Sequence, residues 1–349
     1  MLLPTTQLAV LLILGLSMLA WGSWTSMFNA TKRWRFELFY YDFALGFLLA
    51  ALLAAFTLGS WNSRDLTFQD NFLLASRRLM VWVAASGVLL GIADLLLLAS
   101  ATLSGTGVAF MLAFGILVAG NTIWELSVSS NINVVLAASG MAMAIVAVVI
   151  AAVAYRWRLA DEEENLEVQA LRADPRVKKN VVPRPSSRSG PVLAVLAGIV
   201  LTLFFRTLAQ GTAGDGGVGP YGATLLLSVG VVFVTILFVP FFLYFPLRGG
   251  ALQVRHYFKG SRTHHLLGLF GGFLGSTAML AFLLGRSAAE YATPIPVYLL
   301  SYGAPVVAAV WGLFVWREFA GAAFRVNMIF FVSVVLLVSA LGLIAVASI

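Results

Sequence analysis

Within the stretch GIADLLLLAS a single acid, Asp94, stands among leucines. A carboxyl near the centre of an apolar helix costs roughly 3 kcal/mol to insert, and it usually faces a cavity, a partner or a functional path. A carboxyl held in low dielectric can take up and release a proton, the chemistry that couples a carrier to a proton gradient. A structural hydrogen bond to a neighbouring helix is the other use of the same residue. Arg206, in FFRTLAQ, lies near one end of an apolar run. It can pair with Asp94 or Glu125, bind a polar or anionic ligand, or snorkel to an interface. Asn121, Glu125, Asn131 and Asn133 gather around one turn, where such residues make either a polar entrance or a helix cap.

The segment YATPIPVYLLSYGAPVVAAVWG carries Pro294, Pro296 and Pro305 within one apolar run. Each proline removes a backbone donor and frees a carbonyl, which in lipid is tolerated only where protein or a cavity satisfies it. Broken helices are where carriers place substrate groups. Tyr291, Tyr298 and Tyr302 add hydroxyls and flat faces suited to a sugar or a heterocycle; kinks that only fit neighbouring helices are the alternative.

These residues need helices in a bilayer to position them. Of 349 residues, 60% are hydrophobic and 11% charged, with mean hydropathy +0.94, against about 45–50% apolar and about 25% charged in soluble domains. A soluble domain could not bury that much apolar surface. Apolar runs bounded by charge, glycine, proline or asparagine predict ten spans: 5–28, 38–59, 79–100, 103–124, 133–156, 191–210, 221–246, 265–285, 291–315 and 324–347, each near the length that crosses hydrocarbon as a helix. The run 5–27 lacks a basic leading segment and is read as the first span rather than a signal peptide. Residues 157–190 are rich in charge, proline and serine and read as a flexible linker between repeats 1–156 and 191–349.

Loops after the odd-numbered spans hold 17 of the 22 lysines and arginines. By the positive-inside rule those loops, the linker included, face the cytoplasm and both termini lie outside. The patch TKRWRFE is then a stop at the inner headgroup layer, with Trp34, Phe36, Phe39, Tyr40 and Tyr41 as its aromatic belt. The same bias accounts for the pI of 9.9 without nucleic acid as a partner. GVLLG (Gly87 to Gly91) has a counterpart in GGFLG (Gly271 to Gly275), and GNTIWE in LFVWRE. Five spans per half place the second half upside down relative to the first, so the fold class expected is all-α, ten helices as a 5+5 inverted repeat.

Several motifs are better read structurally. Gly214, Gly216 and Gly219 spell GxGxxG, but a loop between two spans lacks the strand that a nucleotide site needs. The small-xxx-small glycines suit close helix packing. His256, His264 and His265 lack the spacing and carboxylate company of a metal site and read as a solvated loop. No Ser/His dyad, HExxH or carboxylate pair at helical spacing falls within the spans, so the chain is not read as an enzyme, and neither cofactor nor metal is expected. Cysteine is absent, which excludes disulfides and thiolate ligands.

WGSW (Trp21 to Trp24), KRWRFELFYYDFALG (Lys32 to Gly46), FTLGS (Phe56 to Ser60), GVLLGIADLLLLAS (Gly87 to Ser100) and GAPVVAAVWGLFVWREF (Gly303 to Phe319) resemble the ureide permease family and its bacterial relatives. Those are ten-span members of the drug/metabolite transporter superfamily, close to the rhamnose and glucose/ribose porters. The resemblance covers nearly all of the chain outside the linker. It implies proton-coupled import of a small polar solute, such as a ureide, nucleobase or sugar, through the cell membrane, and it adds Trp21 and Trp24 to the candidate site. The expected partners are the solute, protons and the bilayer; a homodimer is compatible with such a carrier. Efflux by antiport is the alternative: a cationic drug site wants an unpaired carboxylate, whereas a sugar or ureide site wants neutral hydrogen-bonding groups and aromatics.

Overall fold

The computed structural model describes residues 1–32, 34–61, 67–129, 131–173, 189–214, 216–247, 249–288 and 297–347. Among them the regular structure is entirely helical: α1 (Gln7–Ala30), α2 (Phe36–Phe56), α3 (Phe68–Leu74), α4 (Arg77–Ser104), α5 (Thr106–Val128), α6 (Val134–Ala173), α7 (Ser189–Thr212), α8 (Pro220–Tyr244), α9 (Arg262–Ser287), α10 (Ala304–Val310) and α11 (Phe324–Ala347), with short 3-10 and π-helical turns. Nine of the described helices are long and apolar enough to cross a membrane. The chain is an all-α membrane protein, and apolar side chains such as Leu8, Leu12, Val135, Ile236 and Phe331 stay exposed because lipid is their solvent.

The ninth expected span is the exception. Its beginning, with Tyr291, Pro294 and Pro296, lies outside the described residues. The rest runs as a 3-10 turn over Val297–Gly303, the α-helical turns of α10, and a π-helical turn over Trp311–Val315. Pro305 sits in the first turn of α10, where no helical N–H is lost.

Two boundaries move. The break expected near Ala101 and Thr102 falls at Gly105, whose φ of 95° is a conformation that a side chain disfavours. The helix runs through its polar residues because they bond back to it: Thr102 Oγ1 donates to the Ala99 carbonyl at 2.7 Å and Ser104 Oγ to that of Ser100 at 2.9 Å. At the other, α6 continues past 156 to Ala173. Its glutamates, leucines and alanines are strong helix formers, and the extension is anchored. Asp161 accepts the Ala323 amide at 2.8 Å in front of α11, and Asn165 donates to the Gly321 carbonyl at 3.1 Å.

The helices pair across the two halves. α1 packs on α9 and α4 on α7; α2 packs on α9 and α4 on α8; α5 packs on α7, and the broken segment 297–310 on α1. Glycine permits the closest approaches: a Cβ at Gly230 would collide with the Gly87 backbone, and one at Gly272 with the backbones of Phe43 and Phe47. Gly219 leads into α8 from the α7 side and is preceded by helix and turn, with no strand.

Candidate functional site

Along α5 the residues from Val108 to Leu117 are packed almost without exposure, and a cavity opens beside each end of the helix. The cavity beside the carboxyl end measures about 270 Å³ and is lined by Asn121, Glu125, Phe205, Arg206, Arg286 and Tyr302 among others. Here α5 and α7 bring candidate residues together. Arg206 donates to Glu125 Oε1 at 3.1 Å, and to the carbonyl and Oδ1 of Asn121, both at 3.0 Å. Asn121 Nδ2 in turn donates to the Tyr302 hydroxyl at 3.1 Å, linking α5 to the segment that precedes α10. The guanidinium also lies 5.3 Å from the Trp124 ring centroid, a cation–π contact. Glu125 is 40% exposed and Arg206 21%, so this network borders water. Asn133 goes elsewhere: its Oδ1 accepts the Leu136 amide at 3.1 Å and caps α6. Of these asparagines, Asn121 therefore lines the cavity and Asn133 serves as a cap.

The wall between the two ends is aromatic. Trp21 meets Phe114 edge-on at 5.0 Å and Phe205 at 5.8 Å, while Phe205 meets Phe282 at 5.1 Å and Tyr302 at 5.2 Å. Trp24, on α1, packs on Phe43 at 4.6 Å. Trp21 and Trp24 are both fully buried. The side chain of Tyr298, like Tyr291, lies outside the described residues.

Beside the amino end of α5 the cavity is about 520 Å³, lined by Asn29, Lys32, Trp34, Arg158, Trp316 and Glu318 among others. Glu318 places its carboxylate on the first turn of α5, accepting Thr106 N–H at 2.6 Å and Gly107 N–H at 3.1 Å. Arg158 attracts it and donates to the Ser104 carbonyl at 3.1 Å. Burial pushes the Glu318 carboxyl up from its ordinary pKa, against the two amides and Arg158. Trp311 and Trp316 donate to Ser23 at 2.9 Å and Ser26 at 3.2 Å, fastening the broken segment to α1. Glu318 was not among the sequence candidates. Its kinship with Glu125 at the close of the other half, WRE against IWE, was the signal that could have found it.

Asp94 belongs to neither cavity. It is 3% exposed, and its Oδ1 makes no hydrogen bond among the described residues. The Tyr40 hydroxyl is near enough to feel its charge but donates instead to the Gly91 carbonyl at 2.7 Å. Arg206 is engaged by Glu125 and Asn121, so the expected alternative of an Asp94–Arg206 pair is absent from this conformation. Asp94 is also not alone as an acid inside a span: α2 buries Glu37 and Asp42 as well. Glu37 is held by Arg35 through bonds of 2.6 and 3.0 Å. The reading of the histidines as a solvated loop is corrected too, since His265 binds Asp42 at 2.9 Å. No protein-family model matches the chain, and no curated protein matches it significantly.

Proposed function

We propose that the chain is a secondary active transporter, a permease that moves a small polar solute such as a sugar, ureide or nucleobase across the cytoplasmic membrane in exchange for the energy of a proton gradient. The observation that carries this reading is the pair of cavities at opposite ends of α5, each with charged and hydrogen-bonding groups in its lining, divided by a tight aromatic wall and both bordered by residues of the broken segment 297–318. A carrier needs a site reachable from each side in turn, with irregular backbone where it lines a cavity. The hydrogen-bonding groups at the smaller cavity, Asn121 and the Tyr302 hydroxyl beside Phe205, suit a neutral polar ring.

The 5+5 inverted repeat is supported by the way contacts exchange. Matching α1, α2, α4 and α5 to α7, α8, α9 and the broken segment turns each major pairing of one half with the other into its counterpart. The likeness to ureide permeases and sugar porters noted in the sequence belongs to the same proposal. The end carrying Lys32, Arg35 and Arg158 is assigned to the cytoplasm by the cation bias. A Ser187→Cys variant should then be silent to an impermeant thiol reagent on intact cells and Ser127→Cys reactive; the reverse pattern would invert the assignment.

Asp94 is the coupling candidate. An ionised carboxylate without a donor is among the costliest groups to bury, and a proton is the smallest ligand that relieves it. Efflux of cationic drugs is the less favoured reading, because the smaller cavity holds Arg206 and Arg286 against Glu125, and Asp94 lines neither cavity. The deciding experiment is uptake of a panel of radiolabelled sugars, ureides and nucleobases into proteoliposomes, with and without an imposed pH gradient. Gradient-driven accumulation of one class supports the proposal; folded protein that moves no member of the panel, or only exports cations, overturns it.

A further inference from the structure

A second polar cluster lies at the Lys32 end, outside both cavities. Asp42, on α2, is 2% exposed and accepts two bonds from two other elements. The Tyr257 hydroxyl, from the 3-10 segment Val254–Lys259, donates to Oδ1 at 2.5 Å, and His265 Nδ1, on α9, lies 2.9 Å from Oδ2. With a carboxylate as partner, Nδ1 carries the hydrogen. Gly268, one turn further along α9, lets the helix close on this site, since a Cβ there would collide with Asp42.

The second ring nitrogen of His265 points the other way. The side chain is 26% exposed, and a Cβ at Gly260 would collide with both Nε2 and the Trp34 ring, which places Nε2 against the loop that leads into α9. Trp34 covers the ring edge-on at 5.8 Å and stacks on His264 at 4.7 Å. A partly exposed ring with one nitrogen on a buried carboxylate and the other turned away from it can exchange a proton at that second nitrogen.

We propose that Asp42, His265 and Tyr257 form a proton-exchange site on this face. His265 takes up a proton at Nε2 from the aqueous side, becoming an imidazolium paired with the Asp42 carboxylate, and returns the same proton to water at Nε2 while the Nδ1–H bond persists. The site is separate from Asp94, and its use in a carrier cycle rests on the transport reading above. Protonation turns a hydrogen bond into an ion pair that holds α9 and the 254–259 segment against α2; deprotonation loosens that junction.

The surrounding groups are few. Tyr257 stays a donor, because burial and then the Asp42 carboxylate push its hydroxyl well above the ordinary range. Tyr41 packs on Tyr257 at 5.7 Å, and the Arg35–Glu37 pair lies one turn earlier on α2, tied by Arg35 to the Gly250 carbonyl at 3.0 Å. From α9 come His264 and Arg262, from the 3-10 segment Arg255, His256 and Lys259, and from α4 Asp94 on the Tyr40 side. α1 and α8 carry no charged residue.

Because the chain has three histidines, the site can be read directly. In full-length protein carrying His256→Gln and His264→Gln, the latter keeping an acceptor in the capping box with Ser261, the remaining imidazole is followed by ¹⁵N NMR. The expected result is an Nδ1–H tautomer at alkaline pH, imidazolium on acidification, and loss of that tautomer preference in Asp42→Asn. An Nε2–H tautomer, or a spectrum unchanged by Asp42→Asn, overturns the proposal whatever the solute.

Transport supplies the second arm. In oriented proteoliposomes, His265→Gln should lose the response of uptake to pH on the Lys32 face and keep the response on the opposite face. Uptake that retains its wild-type response on the Lys32 face overturns the proposal. Absence of uptake in the unmodified protein fails the transport reading instead, with the spectroscopic arm still deciding whether the proton site exists.

Discussion

The two ends of α5 are closed by different chemistry. At the amino end one carboxylate, Glu318, sits directly on two backbone N–H groups, so the tie depends on main chain that cannot move without unwinding a helix turn. At the carboxyl end the ties run between side chains: Arg206 to Glu125 and Asn121, and Asn121 to Tyr302. Rotamer changes can break those one at a time. The larger cavity accompanies the stiffer tie and the smaller cavity the more adaptable one. In a carrier, the adaptable end is the one able to reshape around a solute.

Asp94 tests whether either end matters without the middle, and the largest effect is expected there. Asp94→Asn keeps the shape of the protonated acid but cannot titrate, so accumulation against a gradient should be abolished while downhill exchange persists. Wild-type accumulation by the variant in a pH gradient would make Asp94 structural and leave coupling to Asp42, Glu125 or another ion.

Next comes Glu318→Ala, which leaves the first amides of α5 without their acceptor. Hydrogen bonds to a charged group are worth about 1.5–3 kcal/mol, so thermal stability in detergent should fall by about 2 kcal/mol. A Thr102→Cys reporter in the larger cavity should label faster in the same background; unchanged labelling would mean that Glu318 does not hold this end. The pH dependence has a definite sign. A carboxyl raised by burial contributes stability that is fully present below its unfolded pKa and is lost as pH rises through its folded one. The stability advantage of wild type over Glu318→Gln should therefore be greatest in acid and narrow as pH rises, and a gap that widens toward neutrality would reverse the assigned cause.

The ion pair at the other end should matter less. With Glu125 40% exposed, a double-mutant cycle on Arg206→Ala and Glu125→Ala should give a coupling of about 0.2–1 kcal/mol, although Arg206→Ala alone costs more because it also strands Asn121. A coupling several times larger would make this end as stiff as the other. The smallest effect is expected of Tyr302→Phe, which removes one neutral hydrogen bond worth about 1 kcal/mol. It should raise the KM for the solute about fivefold with little loss of folded protein. Unchanged kinetics would return Tyr302 to packing.

Hydropathy and the clustering of cations are local properties of the chain, set by the cost of placing each side chain in hydrocarbon. The long spans were for that reason legible, apart from the extension of α6 to Ala173, as were the small-residue contacts, the polar character of the Asn121–Glu125 turn and the broken nature of the segment around Pro305. Partner choice was not legible. Arg206 had two acids to choose from and took the one 81 residues away at its own level in the bundle. Asp42 and His265 are 223 residues apart, and nothing in the basic loop distinguished His265 from its neighbour His264. Glu318 looked like one charge at a span's end until the turn at Gly105 brought the amides of α5 to it.

The sequence by itself determined that this protein is a bundle of membrane helices, because continuous apolar runs of about 20 residues satisfy their backbone in lipid within each helix, whereas barrel strands are about half that length and alternate. Which buried charges meet was decided by the tertiary structure alone. Helix rotation and depth, set by packing over the whole bundle, choose among partners that look equivalent along the chain.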